Sequence, residues 1–383
     1  MRAMHMRIVI LSPLVLLAAG CGGGNLTPPT PPVAACVPAS PSEFAYVLNG
    51  DAVSMYTVNS CTGALTPTTP ASVPTGTTPQ EPGPESMVAA PGRKFVYVAN
   101  LVSNASDQAT ISMYTVNASS GVLTPTTPAT VPTGFLPQGI TIHPSGNFVY
   151  TANSDDNTVS MFTVNPDTGV LTPTIPASAA AGRSPLSVTV DPSGRFAYVA
   201  NQDDGTISMY NINSSTGVLT PMTPAIVGTG LSPFGVTVAP SGKFAYVPNA
   251  YSADNAVSQY TIDSLTGVLM PNTPSFVTAG NQPTDVAVDP TSKFAYVVNR
   301  ADDTVTMYTI DPNSGNLTAK GTIATGSLPF RMVFDPAGKF AYVADENSGV
   351  SIYLLGTDGS LTFTGAPTPG GNALAVAVTG TKH

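Results

Sequence analysis

From Phe44 onward, short apolar runs alternate with clusters of turn-forming residues, and the alternation itself repeats. One copy, VTVDPSGRFAYVANQDDGTISMYNINSSTGVLT, Val188 to Thr220, holds four strand-like runs: Val188 to Val190, Phe196 to Ala200, Ile207 to Ile212 and Val218 to Thr220. We label them A to D. In DPSG, Asp191 to Gly194, the proline is preset for the second position of a turn and the glycine is free to take positive φ, which predicts a tight antiparallel A–B hairpin. NSSTG, Asn213 to Gly217, predicts the same between C and D. Runs such as VSMFTV, Val159 to Val164, put Val159 and Met161 on one face and Phe162 and Val164 on the other. A sheet that is apolar on both faces needs neighbours on both sides.

The Phe-x-Tyr signature of strand B begins at Phe44, Phe95, Phe148, Phe196, Phe244, Phe294 and Phe340, with spacings of 46 to 53 residues. A period this long fits a propeller blade. The first copy starts at strand B and lacks an inner strand. The chain ends in ALAVAVTG, Ala373 to Gly380, which aligns with the A strand PFRMVFDP, Pro329 to Pro336, and has no B strand after it. The expected fold is therefore all-β: a seven-bladed propeller of four-stranded antiparallel blades over 43–383. Its C-terminal strand completes the first blade, and closing the ring removes exposed sheet edges.

The repeated DPSGRFAYVAN…TISMY…TGVLT is similar to the repeat of lactonase-type seven-bladed β-propellers, the group that includes propeller 6-phosphogluconolactonases, and to bacterial surface proteins with YVTN-type repeats. The resemblance covers about Glu43 to Thr379. It implies the fold, and it implies lactone hydrolysis as one activity that such blades support. The repeated residues themselves are turn and packing residues, and similar blades serve unrelated roles. Tyr and Asn of FAYVAN are accordingly read as structure.

Composition narrows the partners. The 383 residues are 42% hydrophobic and only 9% charged, with a net charge of -9, so the basic footprint that nucleic-acid binding requires is missing. At the N-terminus Arg2 and Arg7 precede an apolar run, Ile8 to Ala19, too short to span a bilayer comfortably. LAAGC, Leu17 to Cys21, resembles the lipobox of bacterial lipoproteins, with Cys21 as the lipidated residue. This predicts a signal peptide at 1–20, a Gly- and Pro-rich tether at 21–42, a membrane lipid anchor, and a monomer exported to the cell envelope. Cys36 and Cys61 are then either bridged in an oxidising compartment or two free thiols.

Functional residues are sought where the copies differ, at the end that carries the B–C loops and D–A crossovers. That end holds fourteen carboxylates against Arg183, Arg300 and Arg331, a net of -11. Aspartates in such loops most often serve as solvated turn residues. Their doublets could take Ca²⁺, but no copy follows a calcium-loop spacing, so neither metal nor cofactor is expected. The inner crossover position, two residues past a proline in most copies, reads Ser86, Gly139, Ser187, Gly235, Asp285, Arg331 and Ala375 around the ring. Asp285 and Arg331 are the exceptions to a run of small residues, with Glu85 and Arg183 close by. A lactone hydrolase needs a carboxylate to activate water and a cation to stabilise the oxyanion, which Glu85 or Asp285 with Arg331 would supply. The competing account, favoured from the sequence, is a structural Asp285–Arg331 ion pair between blades.

Arg183, Arg300 and Glu346 are the candidate ligand-binding residues of the same face. His143 replaces the aspartate of the A–B turn at the opposite end, where an exposed turn residue is expected. With no histidine or cysteine on the candidate face, nucleophile–base pairs of the usual kind are ruled out there. The preferred reading is a lipid-anchored module binding a small molecule or protein partner on its acidic face. The alternative is a lactonase-like hydrolase.

Overall fold

The apolar runs become strands that bury both faces between neighbouring blades. The computed structural model describes residues 36, 43–76, 86–101, 109–250, 255–365 and 372–379. The chain divides into two compact units, Met1–Val37 and Pro38–His383. Of the first, only Cys36 is described. The expected lipobox with Cys21, the expected signal segment, the rest of the expected tether and the candidate Glu85 lie outside the described residues.

The second unit contains seven four-stranded sheets. Blade four is representative: strand A is Pro185–Val190, B is Phe196–Asn201, C is Thr206–Ile212 and D is Leu219–Gly228, in that order and antiparallel throughout. Blade one takes its inner strand from the C-terminus. Ala373–Thr379 pairs with Phe44–Asn49, in a register that puts Phe44 opposite Thr379 and Val47 opposite Val376. The ring closes as expected, through a sheet built from both ends of the propeller.

Strand D is longer than its apolar pattern suggests, with ten residues in blade four where the sequence marks only Val218 to Thr220. The prolines of TPMTPA conceal the strand. D is the outer edge of its blade, where a residue without N–H forfeits no ladder bond on the open side. A register shift between Ser208 and Tyr210 absorbs the irregularity.

Strand B carries the joints between blades. Its tyrosine hydroxyl donates to the carbonyl of the glycine in the next blade's C–D hairpin: Tyr46 to Gly121, Tyr97 to Gly169, Tyr150 to Gly217, Tyr198 to Gly267, Tyr246 to Gly315 and Tyr296 to Gly359, at 2.7–2.9 Å. Tyr342 donates to Gly63 at 3.1 Å, from blade seven to blade one, so the series is circular. The same glycines have φ near +75°, and a Cβ on any of them would lie 2.2–2.6 Å from a ring carbon of the strand-B phenylalanine of the preceding blade. Phe, Tyr and hairpin Gly thus form one device. The tyrosine gains the partner a buried hydroxyl requires, and the phenylalanine fills the space a glycine leaves.

Two consequences can be measured. Deleting residues 372–383 uncovers the Phe44–Asn49 edge, and a lower thermal midpoint or loss of cooperative unfolding is expected by circular dichroism. A truncated chain melting like the full one would contradict closure by the C-terminal strand. A Cβ added at Gly217 (φ +74°) would lie 2.3 Å from a Phe148 ring carbon, whereas one added at Gly146 (φ +77°) would meet nothing within 4 Å. Both Gly→Ala changes carry the backbone cost of about 1–2 kcal/mol. Urea denaturation is expected to show a larger loss for Gly217→Ala, and equal losses would mean that the aromatic contact adds nothing.

Candidate functional site

The seven A strands surround a narrow central channel and are cross-linked by short polar side chains. Thr189 Oγ1 donates to Val236 O and Thr237 Oγ1 to Val286 O, both at 2.6 Å; Thr284 Oγ1 donates to Phe330 O at 3.0 Å, and Ser86 Oγ accepts from Ile140 N at 3.2 Å. Within the channel lies a polar cavity of about 160 Å³, room for about five waters. Its lining includes Ser86, Gly139, Ser187, Gly235, Asp285 and Arg331. Six of the seven inner crossover residues therefore converge, as the ring reading requires. Gly139 has no room to be anything larger, since its Cβ would lie 2.7 Å from Leu186 O.

Asp285 and Arg331 sit on the A strands of blades six and seven, Pro283–Val288 and Pro329–Phe334. Asp285 Oδ2 accepts a hydrogen bond from Met332 N at 2.9 Å. Desolvation pushes its carboxyl above the ordinary range, opposed by the charge of Arg331 and by the Met332 and Val286 N–H groups. Asp285 is half-buried and lines the cavity. The expected direct ion pair is not formed: no carboxylate oxygen of Asp285 lies within 4.0 Å of an Arg331 nitrogen. The two residues sense each other through space. The Arg331 guanidinium stands 5.7 Å from the Phe330 ring centroid, and its buried Nε has no hydrogen-bond partner.

Arg183, Arg300 and Glu346 lie outside this cavity. Arg183 Nε pairs with Asp204 Oδ1 at 2.6 Å while its backbone N–H donates to Asp204 Oδ2 at 2.7 Å, and these bonds hold the Asp204 carboxyl below its usual range. Arg300 on blade six pairs with Glu346 on blade seven. One aspartate of each doublet caps a crossover: Asp156 accepts from Phe135 N, Asp204 from Arg183 N and Asp302 from Asn281 N, each at 2.7 Å. Among the described residues no group of three or more His, Cys, Asp or Glu side chains is arranged to hold a metal ion. Cys36 and Cys61 are both disulfide-bonded.

His143 is not the exposed turn residue the sequence suggests. It is buried, with Nδ1 2.7 Å from Ser145 Oγ, Nε2 2.8 Å from Gly194 O, and its ring edge-on to Phe148. The A–B turn of one blade packs against that of the next, so a turn side chain there is enclosed. His143 takes over the role of Asp191, which accepts hydrogen bonds from the backbone of its own hairpin.

Sequence reasoning also passed over Asp345. It occupies the place of Asn201 in the repeat, where the amide donates to the hydroxyls of Thr206 and Ser208. In blade seven the corresponding partners are Gly349 and Ser351. Asp345 is fully buried; Oδ2 accepts from the Ser351 hydroxyl and backbone N–H, and Oδ1 has no partner. Desolvation pushes its carboxyl up to about 7, against the Ser351 hydrogen bonds and with added repulsion from Asp303. The FAYVAD of blade seven, where the other six copies of strand B end in Asn, was the available signal.

Residues 36–232 and 236–378 match the family model described as lactonase, 7-bladed beta-propeller. The chain belongs to this lactonase family. Among solved structures, a candidate 6-phosphogluconolactonase from Bacteroides uniformis is similar at 21% identity and TM-score 0.72, covering 88% of this chain and 100% of its own. A periplasmic gluconolactonase from Pseudomonas aeruginosa is similar at 18% identity and TM-score 0.69, covering 88% and 98%. These likenesses show a shared fold. No curated relative matches the chain.

In this lactonase-family propeller Asp345 makes stability pH-dependent. Its folded pKa is raised from 3.8 to about 7, so the folded state holds the proton more tightly. The associated stability is complete below the unfolded value and is lost as pH rises towards 7. Asp345→Asn, which restores the side chain of the other blades, is expected to gain stability over the wild type across this interval, by on the order of a few kcal/mol at pH 8. Denaturant titrations from pH 4 to 8 measure it. A difference that does not change with pH would refute the assignment.

Proposed function

We propose that this propeller is a lactone hydrolase whose reacting centre is the channel cavity at Asp285 and Arg331. The observation that carries the reading is the state of Arg331: a guanidinium lining the polar channel cavity, free of any direct ion pair, with a buried Nε that no protein group satisfies. Such a group suits a carbonyl oxygen on which negative charge develops. Asp285, on the neighbouring blade, is the carboxylate of the pair. Its raised pKa makes its ionised form a stronger base.

In the proposed reaction, ionised Asp285 takes a proton from a water as the water oxygen bonds to the lactone carbonyl carbon. The carbonyl oxygen becomes an oxyanion beside Arg331. Collapse re-forms the C=O bond and breaks the bond from the carbonyl carbon to the ring oxygen. Protonated Asp285 returns its proton to that leaving oxygen, giving the open-chain hydroxy acid. Membership of the lactonase family supports the same reading. The binding-module reading preferred from the sequence lacks such support, because Arg183, Arg300 and Glu346 are engaged in ion pairs with protein partners.

Arg331→Ala is expected to lower kcat/KM on a hydrolysed lactone by about a hundredfold or more with an unchanged melting curve. Asp285→Asn is expected to remove the rise of rate with pH, whose midpoint in the wild type lies above the ordinary carboxylate range. Purified wild type that hydrolyses none of a panel of five- and six-membered lactones would refute the proposal.

A further inference from the structure

We infer that the site takes an uncharged, polyhydroxylated lactone and discriminates against its phosphorylated form; this rests on the hydrolase reading above. The charge inventory carries the inference. Arg331 is the sole basic residue among the described residues that line the cavity, and Asp285 balances it. At the crossover end, Arg183 is bound to Asp204 and Arg300 to Glu346. The segments 77–85, 102–108, 251–254 and 366–371 contain no Lys or Arg in their sequence. Lys94, Arg195, Lys243, Lys293 and Lys339 all follow the A–B turns, at the opposite end of the blades.

A phosphate dianion needs charge-assisted donors of its own, and arginine is the side chain best suited to supply them. Arg331 cannot serve both the phosphate and the reacting carbonyl. At the crossover end, exposed carboxylates including Asp156, Asp302 and Asp303 add a field that repels a dianion on approach.

The cavity instead offers contacts for a neutral ring. Phe234 lines it and meets Phe330 edge to face, with centroids 5.4 Å apart, although the two belong to blades five and seven. The pair spans the inner strand of blade six, which carries Asp285. Both rings are half-buried, and the negative face of an aromatic attracts the positively polarised C–H groups of a sugar ring. The hydroxyl of Ser187 lies on the cavity wall for the substrate's own hydroxyls.

Initial rates of the purified wild type on D-glucono-1,5-lactone and its 6-phosphate test this. The expected kcat/KM is about tenfold or more higher for the uncharged lactone at low salt. The gap should narrow near 1 M salt, where the screening length falls to about 3 Å. Glu346→Gln, which releases Arg300, should improve use of the phosphorylated lactone several-fold relative to the uncharged one. Phe234→Ala should raise KM for the uncharged lactone more than it lowers kcat. Turnover of both lactones with equal efficiency, or preference for the phosphate, overturns the inference while the hydrolase reading stands. Turnover of neither, while other lactones of the panel are hydrolysed, removes the inference alone; turnover of no lactone at all removes both.

Discussion

Each blade is held to the next by a tyrosine hydroxyl that reaches the carbonyl of a hairpin glycine, with a phenylalanine ring packed where that glycine lacks a Cβ. The joint joins three residues of the repeat that are distant along the chain, and it leaves little freedom at any of them. A bulkier glycine strikes the ring, and a missing hydroxyl leaves a buried carbonyl without its donor. Because the last joint runs from Tyr342 to Gly63, the first and last blades are fixed to each other as firmly as any neighbouring pair. Strand exchange at the terminus, where Ala373–Thr379 pairs with Phe44–Asn49, completes a ring whose joints already repeat around it.

A rigid ring of equivalent strands makes its centre chemically uniform unless single positions depart from the repeat. Small residues at most inner crossover positions keep the channel open, and the threonine and serine bonds between A strands hold its wall. Against that background one carboxylate and one guanidinium on adjacent blades create the polar centre. Their separation matters as much as their presence. A direct ion pair would consume the guanidinium, whereas the backbone N–H of Met332 satisfies the carboxylate and leaves the arginine available.

The acidic crossover end is largely structural. Aspartates that look like a binding surface in the sequence accept backbone N–H groups of the crossovers, which tie strand D of one blade to strand A of the next. Their charges still set the field around the channel mouth even though their oxygens are engaged. Structural capping and electrostatic selection are therefore performed by the same side chains.

The repeat, the number of blades, closure by the C-terminal strand and the ring of inner residues containing Asp285 and Arg331 were legible in the sequence. Each rests on a local pattern: two-residue alternation in a strand, turn residues at set positions, or the same place in successive copies. What the tertiary structure decided depends on residues that a neighbouring blade contributes from about fifty positions away. Burial of His143 arises from the next A–B turn, and the ion pairs of Arg183 and Arg300 depend on loop geometry and, for Arg300, on the adjoining blade. The separation of Asp285 from Arg331 is a relation between the inner strands of two blades, where the Met332 N–H engages the carboxylate instead. Asp345 differs from asparagine by one atom type in the sequence. Only its complete enclosure, which removes water from a carboxylate, turns that difference into a titrating group.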